Sequence, residues 1–218
     1  MATRPVHPIA PRVAPPDLPR HLDDAVPRRG DDLLQVRLVG LDGDADLAHA
    51  SLEECALGPA SLGALGLRGA TLVDVDGADV SAVAIDARET TIRRLRLSGG
   101  RIGSLDLSGA HIAELELVGA RVDYLTLAGA RAEDVRLADC DIRSLDVPQA
   151  RLARVALPGS RVAELDPRGA QAADVDLRGA DIAKVLDVAS LRGMTVSPSQ
   201  AELLAPALAA AAGIRVEG

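Results

Sequence analysis

The chain has 218 residues, 48% of them apolar and 26% charged, with a net charge of -8 and one tyrosine as its sole aromatic residue. Such acidity excludes a general binder of nucleic acid or anionic membrane, which needs a basic surplus. Cys55 and Cys140 are the only cysteines, which excludes a disulfide framework and a multi-cysteine zinc site.

Residues 1–30 hold seven of the thirteen prolines and few large apolar residues, so an extended or disordered arm is expected there. The N-terminal stretch lacks the apolar core of a secretory leader. No run in the chain approaches the roughly 18 apolar residues of a membrane span, so a cytoplasmic protein is expected.

From about Val36 to Val185 a period of five governs the chain. One apolar set falls at Ile102, Leu107, Ile112, Leu117, Val122, Leu127 and every fifth residue to Ile182; a second lies two residues earlier in each unit, from Leu105 and Ala110 to Val185. Neither set contains a charged residue. A helix cannot use this period, because at 100° per residue steps of five and two scatter the apolar side chains around the cylinder. A long strand fails too, since alternation lasts three residues before the phase changes. What remains is a solenoid of short strands and tight corners, each coil burying its inward residues on its neighbours.

The units "AHIAE", "ARVDY", "CDIRS", "ARLAR" and "ADIAK" resemble the pentapeptide-repeat family, whose consensus is a small residue, Asp or Asn, a large apolar residue and two polar ones. The resemblance implies an all-β solenoid over residues 31–190, a right-handed quadrilateral β-helix with four units to a coil and about seven coils from Ala45 to Val185. Gly109, Gly119, Gly129, Gly159, Gly169 and Gly179 fall at corners, where a missing Cβ relieves strain. One stretch interrupts the frame. A strict count puts Gly77, Ala82 and Ala87 inward and Val83 outside, whereas "GADVSAVAID" read from Ala78 buries Val80, Val83 and Ile85 together. The second reading is the apolar one; it requires a corner two residues short near Gly77 and a bulge around Arg88–Glu89. Glu116, one residue before the inward Leu117, reads as a silent outward position.

Residues 191–218 begin with a last coil strand. They continue into a helix with Ser197 as N-cap, Pro198 at its first position, Gln200 completing a capping box and Gly213 as its stop. Pro206 should kink or divide it. Leu203, Leu204 and Leu208 form an apolar face that can cap the end coil or pair two subunits, and a homodimer through this helix is the expectation.

Asp42, Asp44, Asp46 and Glu53 match positions of a calcium loop, but Leu47 stands where that loop requires glycine. His7, His21, His49 and His111 are scattered without ligand partners, so neither a metal, a cofactor nor an enzyme activity is expected. Residues twenty apart should stack on one wall. The column Asp46, Gly66, Asp86, Asp106, Thr126, Asp146, Asp166 is then a carboxylate ladder able to attract a basic groove, with Asp86 depending on the interrupted frame. The quinolone-resistance members that the layout resembles imitate B-form DNA and bind DNA gyrase. The resemblance thus implies a non-enzymatic, protein-binding rod, a DNA mimic for a type II topoisomerase that contacts no nucleic acid itself. The alternative is a scaffold module with an unrelated protein partner.

Overall fold

The computed structural model describes residues 7–215, and it is a parallel β-solenoid of about eight turns followed by one helix. Every strand pair is parallel, and the strands fall in two sheets. From Ala60 to Val185 residues twenty apart are partners, and the last strand closes one residue short, Val175 and Asp176 pairing with Met194 and Thr195. Ile102, Val122, Ile142, Val162 and Ile182 form one inward column. Leu95, Leu115, Val135, Val155 and Val175 form another. Stacking identical positions lets each apolar side chain meet its counterpart one coil away. Leu117, Val122, Leu125 and Ile142 are consequently wholly buried in one continuous core.

The coil count exceeds the expected seven because the stack extends further toward the N-terminus. Asp32–Leu34 and Val36–Leu38 add an edge layer, on which Asp23–Ala25 pairs with Val36–Leu38. The sheet therefore begins inside the proline-rich segment. This first coil is one residue short, with partners nineteen apart and the register correcting between Gly43 and Ala45.

The apolar reading of residues 78–85 is overturned. Val80 and Ile85 are buried, but Val83 is 72% exposed, while Gly77, Ala82 and Ala87 take the inward places of the strict frame. Neither a shortened corner nor a bulge occurs, and Leu57, Gly77 and Leu97 stay in register. Exposing one valine forgoes about 1.5–3 kcal/mol of burial. Slipping the frame would break the ladder to both neighbouring coils, at about 0.5–1.5 kcal/mol for each of many hydrogen bonds, so register wins. Gly77 is inward for a local reason: a Cβ there would lie 2.6 Å from Cδ2 of Leu97, which fills the space from the next coil. The small residues nevertheless leave an apolar cavity of about 50 Å³ lined by Gly77, Val80, Leu97 and neighbouring leucines.

Corners use a left-handed residue at every tenth position. Ala110, Ala130 and Ala150 donate their N–H to the carbonyls of Leu107, Leu127 and Val147, closing β-turns whose third residue is Gly109, Gly129 or Gln149 at φ of +56 to +69°. Pro167 occupies an inward site in an intact coil, its carbonyl accepting the N–H of Ala170 at 2.9 Å.

Candidate interaction surfaces

The carboxylate column is assembled in register. Gly66, Asp86, Asp106, Thr126, Asp146 and Asp166 are successive partners, with Asp46 beneath Gly66, and the intact frame keeps Asp86 among them. Each position lies just before a corner, and at all of them but Gly66 and Asp146 a side-chain oxygen accepts the N–H two residues on. Asp46 takes that of Ala48 at 2.9 Å, Asp106 that of Ser108 at 2.9 Å and Asp166 that of Arg168 at 3.2 Å. Several members are also neutralised. Arg88 Nε donates to Asp86 at 2.7 Å, Arg168 Nε to Asp166 at 2.8 Å, and Arg29 to Asp46 at 3.0 Å. The Arg88 and Arg168 guanidiniums hold the carboxyls of Asp86 and Asp166 below the usual range.

Asp146 alone is freed from the corner, because the residue two positions on is Pro148, which has no N–H to give. Its carboxylate instead accepts the hydroxyls of Tyr124 and Ser144, each at 2.9 Å. Tyr124, the only aromatic side chain, is thereby held 39% exposed on the same wall as Val83 and as Arg101, which bonds Asp123 at 3.3 Å. Partial burial, with the bond to Asp146, raises the phenol above its ordinary range.

A second charged column went unnoticed in the sequence. Asp74, Arg94, Glu114, Asp134, Arg154 and Asp174 line a corner of the larger sheet, and five of the six have left-handed backbones, Glu114 being the exception. Arg94 Nη2 donates to Asp74 at 2.7 Å and Arg154 Nε to Asp134 at 2.7 Å, one coil apart. The same carboxylates hold the N-terminal arm: Ile9 N–H donates to Asp174 at 3.1 Å, Arg12 to Asp134 at 2.8 Å, Ala14 to Glu114 at 3.2 Å and Asp17 to Asp74 at 2.8 Å. Burial alone would raise the carboxyl of Asp74, but the bonds from Arg94 and from the Asp17 N–H outweigh it and hold it low. At Asp134 the bond from Arg154 is the largest influence and acts in the same direction.

Two inward residues in each five and partners twenty apart decide the architecture. This is a parallel β-solenoid built on a five-residue unit, the architecture that the sequence resemblance implies. No protein-family model and no curated protein matches the sequence. Among solved structures the chain is similar to HetL, a pentapeptide repeat protein involved in heterocyst differentiation regulation from the cyanobacterium Nostoc sp. strain PCC 7120. The two share 18% identity over 76% of this chain and 87% of that one, with a TM-score of 0.33.

The solenoid ends in a short 3-10 turn, Val188–Leu191, and the helix Pro198–Ala211. Ser197 and Gln200 form the expected reciprocal capping box, Gly213 follows the helix end with φ +76°, and the helix runs through Pro206 undivided. Gln200 also ties the helix to the end coil, its amide donating to the carbonyls of Leu177 and Ala180 at 2.8 Å each. Leu204 is half-buried against a groove of about 260 Å³ lined by Ile182, Val185, Leu191 and Val196, whereas Leu203 and Leu208 are 79% and 42% exposed.

Among the described residues no three His, Cys, Asp or Glu side chains gather at metal-binding distance, and no helix is long and apolar enough to cross a membrane. In the calcium-like segment, Asp44 accepts the N–H of Ala64 at 2.8 Å and Asp46 is engaged by Arg29. Cys55 and Cys140 are buried at inward positions, and burial pushes both thiols up.

Proposed function

We propose that this pentapeptide-repeat solenoid is a non-enzymatic, protein-binding rod whose contact face is the wall carrying Tyr124 and the carboxylate column. The observation that carries the reading is Tyr124, the one aromatic residue of the chain. It is half exposed and fixed by a hydroxyl bond to a carboxylate with no duty at its own corner. A tyrosine presented rigidly beside charged side chains costs little entropy to dock and is a common energetic anchor of interfaces.

The finer form of this reading is a DNA mimic directed at DNA gyrase, resting on the sequence resemblance and on the register of Asp46, Asp86, Asp106, Asp146 and Asp166. The scaffold alternative is favoured by the arginines paired to Asp46, Asp86 and Asp166, which lower the charge of the strip. Asp106→Asn combined with Asp146→Asn separates the two. Asparagine at 106 can still accept from Ser108, and asparagine at 146 can accept one of the two hydroxyls through its oxygen and donate to the other through its amide NH2, so stability should change by less than about 1 kcal/mol. Under mimicry the midpoint of gyrase supercoiling inhibition should rise several-fold and shift with salt. An unchanged midpoint, or no inhibition by the parent, removes mimicry and leaves the scaffold reading.

The same reading makes the rod a homodimer through Leu203 and Leu208. Deleting residues 198–218 should then halve the mass in sedimentation and keep the β signal in circular dichroism. A truncated chain that aggregates would instead make the helix a cap for its own coil.

A further inference from the structure

The arm runs antiparallel to the direction of coil growth, from Asp174 near one end to Asp74 near the other. Its donors Ile9, Arg12, Ala14 and Asp17 each follow a half-buried residue, Pro8, Pro11, Val13 and Pro16 respectively. Ile9 to Asp17 is eight residue steps, which in polyproline II conformation, at about 3.1 Å each, spans ~25 Å. Asp174 to Asp74 is five coils, which at the strand spacing of about 4.8 Å spans ~24 Å. Three arm residues thus advance as far as two coils. A polyproline II helix makes no internal hydrogen bonds, so its N–H groups are free for carboxylates spaced to match. Polyproline II recognition usually relies on aromatic grooves; with one tyrosine elsewhere, this corner reads backbone N–H groups instead.

We propose that this corner is a docking track for a proline-rich polyproline II segment, and that the arm of a second copy of the chain can occupy it in place of the chain's own. The argument for that occupant is complementarity: the arm supplies donors at the spacing of the acceptors, and those contacts are the same whichever copy it comes from. Only Leu18–Leu22 separate the docked stretch from Asp23–Ala25, which is fixed in the sheet, so the docked stretch can be exchanged without opening a coil.

The test uses the full chain with Arg12→Pro, Ala14→Pro and Asp17→Pro, which favours polyproline II in the arm while removing three of its four N–H donors. All three side chains are exposed, so the core is untouched, and circular dichroism provides the control. The probe is a fluorescent peptide of residues 7–17 with the parent sequence. It should bind the variant at least tenfold more tightly than it binds the parent chain, and a peptide carrying the three prolines should bind neither. A variant that does not bind the parent peptide overturns the proposal, and so does a variant that binds both peptides alike. A second measurement needs no variant: in the parent chain the amide protons of Ile9, Arg12, Ala14 and Asp17 should exchange more slowly than those of Ala10 and Val13. Uniform exchange along the arm would equally overturn it.

Discussion

Leu117→Arg is expected to abolish the folded state of the rod. Leu117 is fully buried and stacks between Leu97 and Leu137 of the adjoining coils, so a guanidinium there has no water and no counter-ion. Breaking or stranding a buried charge costs about 3–5 kcal/mol, and overpacking adds about 1–3 kcal/mol. Total stabilities are only about 5–15 kcal/mol. In a solenoid the damage also lies mid-stack and uncouples the coils on either side. Ala163→Arg, exposed and one residue past the buried Val162, should change stability by less than about 0.5 kcal/mol. Circular dichroism melts of the two variants decide the matter, and equal shifts would refute the frame. Glu116 cannot serve as the silent control that its outward position suggests. It accepts from Arg136 at 2.7 Å and faces Arg96 at 3.4 Å, so Glu116→Arg would set three like charges together.

Gly100→Ala should be the most damaging of the glycine substitutions relative to the atoms added. Gly100 has φ +75°, and a Cβ would fall 2.1 Å from the carbonyl oxygen of Val80, a backbone atom locked in the coil below. Left-handed strain of about 1–2 kcal/mol combines with a clash that only backbone movement can relieve, so a loss of about 3 kcal/mol or more is expected. At about 2–4 °C per kcal/mol for a domain of this size, the melting temperature should fall by roughly 6–12 °C. Gly119 has φ +62° with open space around its missing side chain, and Asp79 and Asp139 hold the same column position at φ +52° and +53°. Gly119→Asn should therefore cost no more than about 1 kcal/mol. Similar losses in the two melts would show that the clash with Val80 is not the cause.

These two pairs mark what the residues disclosed and what they hid. Inward columns of leucine, isoleucine and valine are self-evident from Ile102 onward because large apolar side chains recur without a charge among them. At Gly77, Ala82 and Ala87 the frame continues with side chains too small to advertise it, and the nearby Val83 drew the reading off by one corner. Nothing local corrects that error. The correction is non-local: Leu97 fills the space above Gly77, and the register to both neighbouring coils is kept.

The exceptional status of Asp146 was legible, since Pro148 stands where the other corners offer an N–H, although the hydroxyls of Tyr124 and Ser144 that it recruits lie in two coils. The arm was legible only in part. Its prolines announce an extended segment, but its acceptors come from four carboxylates spread over a hundred residues, and the match appears only when polyproline and solenoid rises are compared.

A five-residue frame unbroken from Ala45 to Val185 underlies the surfaces of the rod, and its most direct test lies where the sequence misleads. Val83→Cys and Ala82→Cys, made separately, can be labelled with a thiol reagent in the native protein, because Cys55 and Cys140 are buried, their thiols raised by burial, and should react slowly. The account predicts that Cys at position 83 reacts nearly as fast as a free thiol, and that Cys at position 82 reacts at least about a hundredfold more slowly. Protection at position 83 with rapid labelling at position 82 would contradict it.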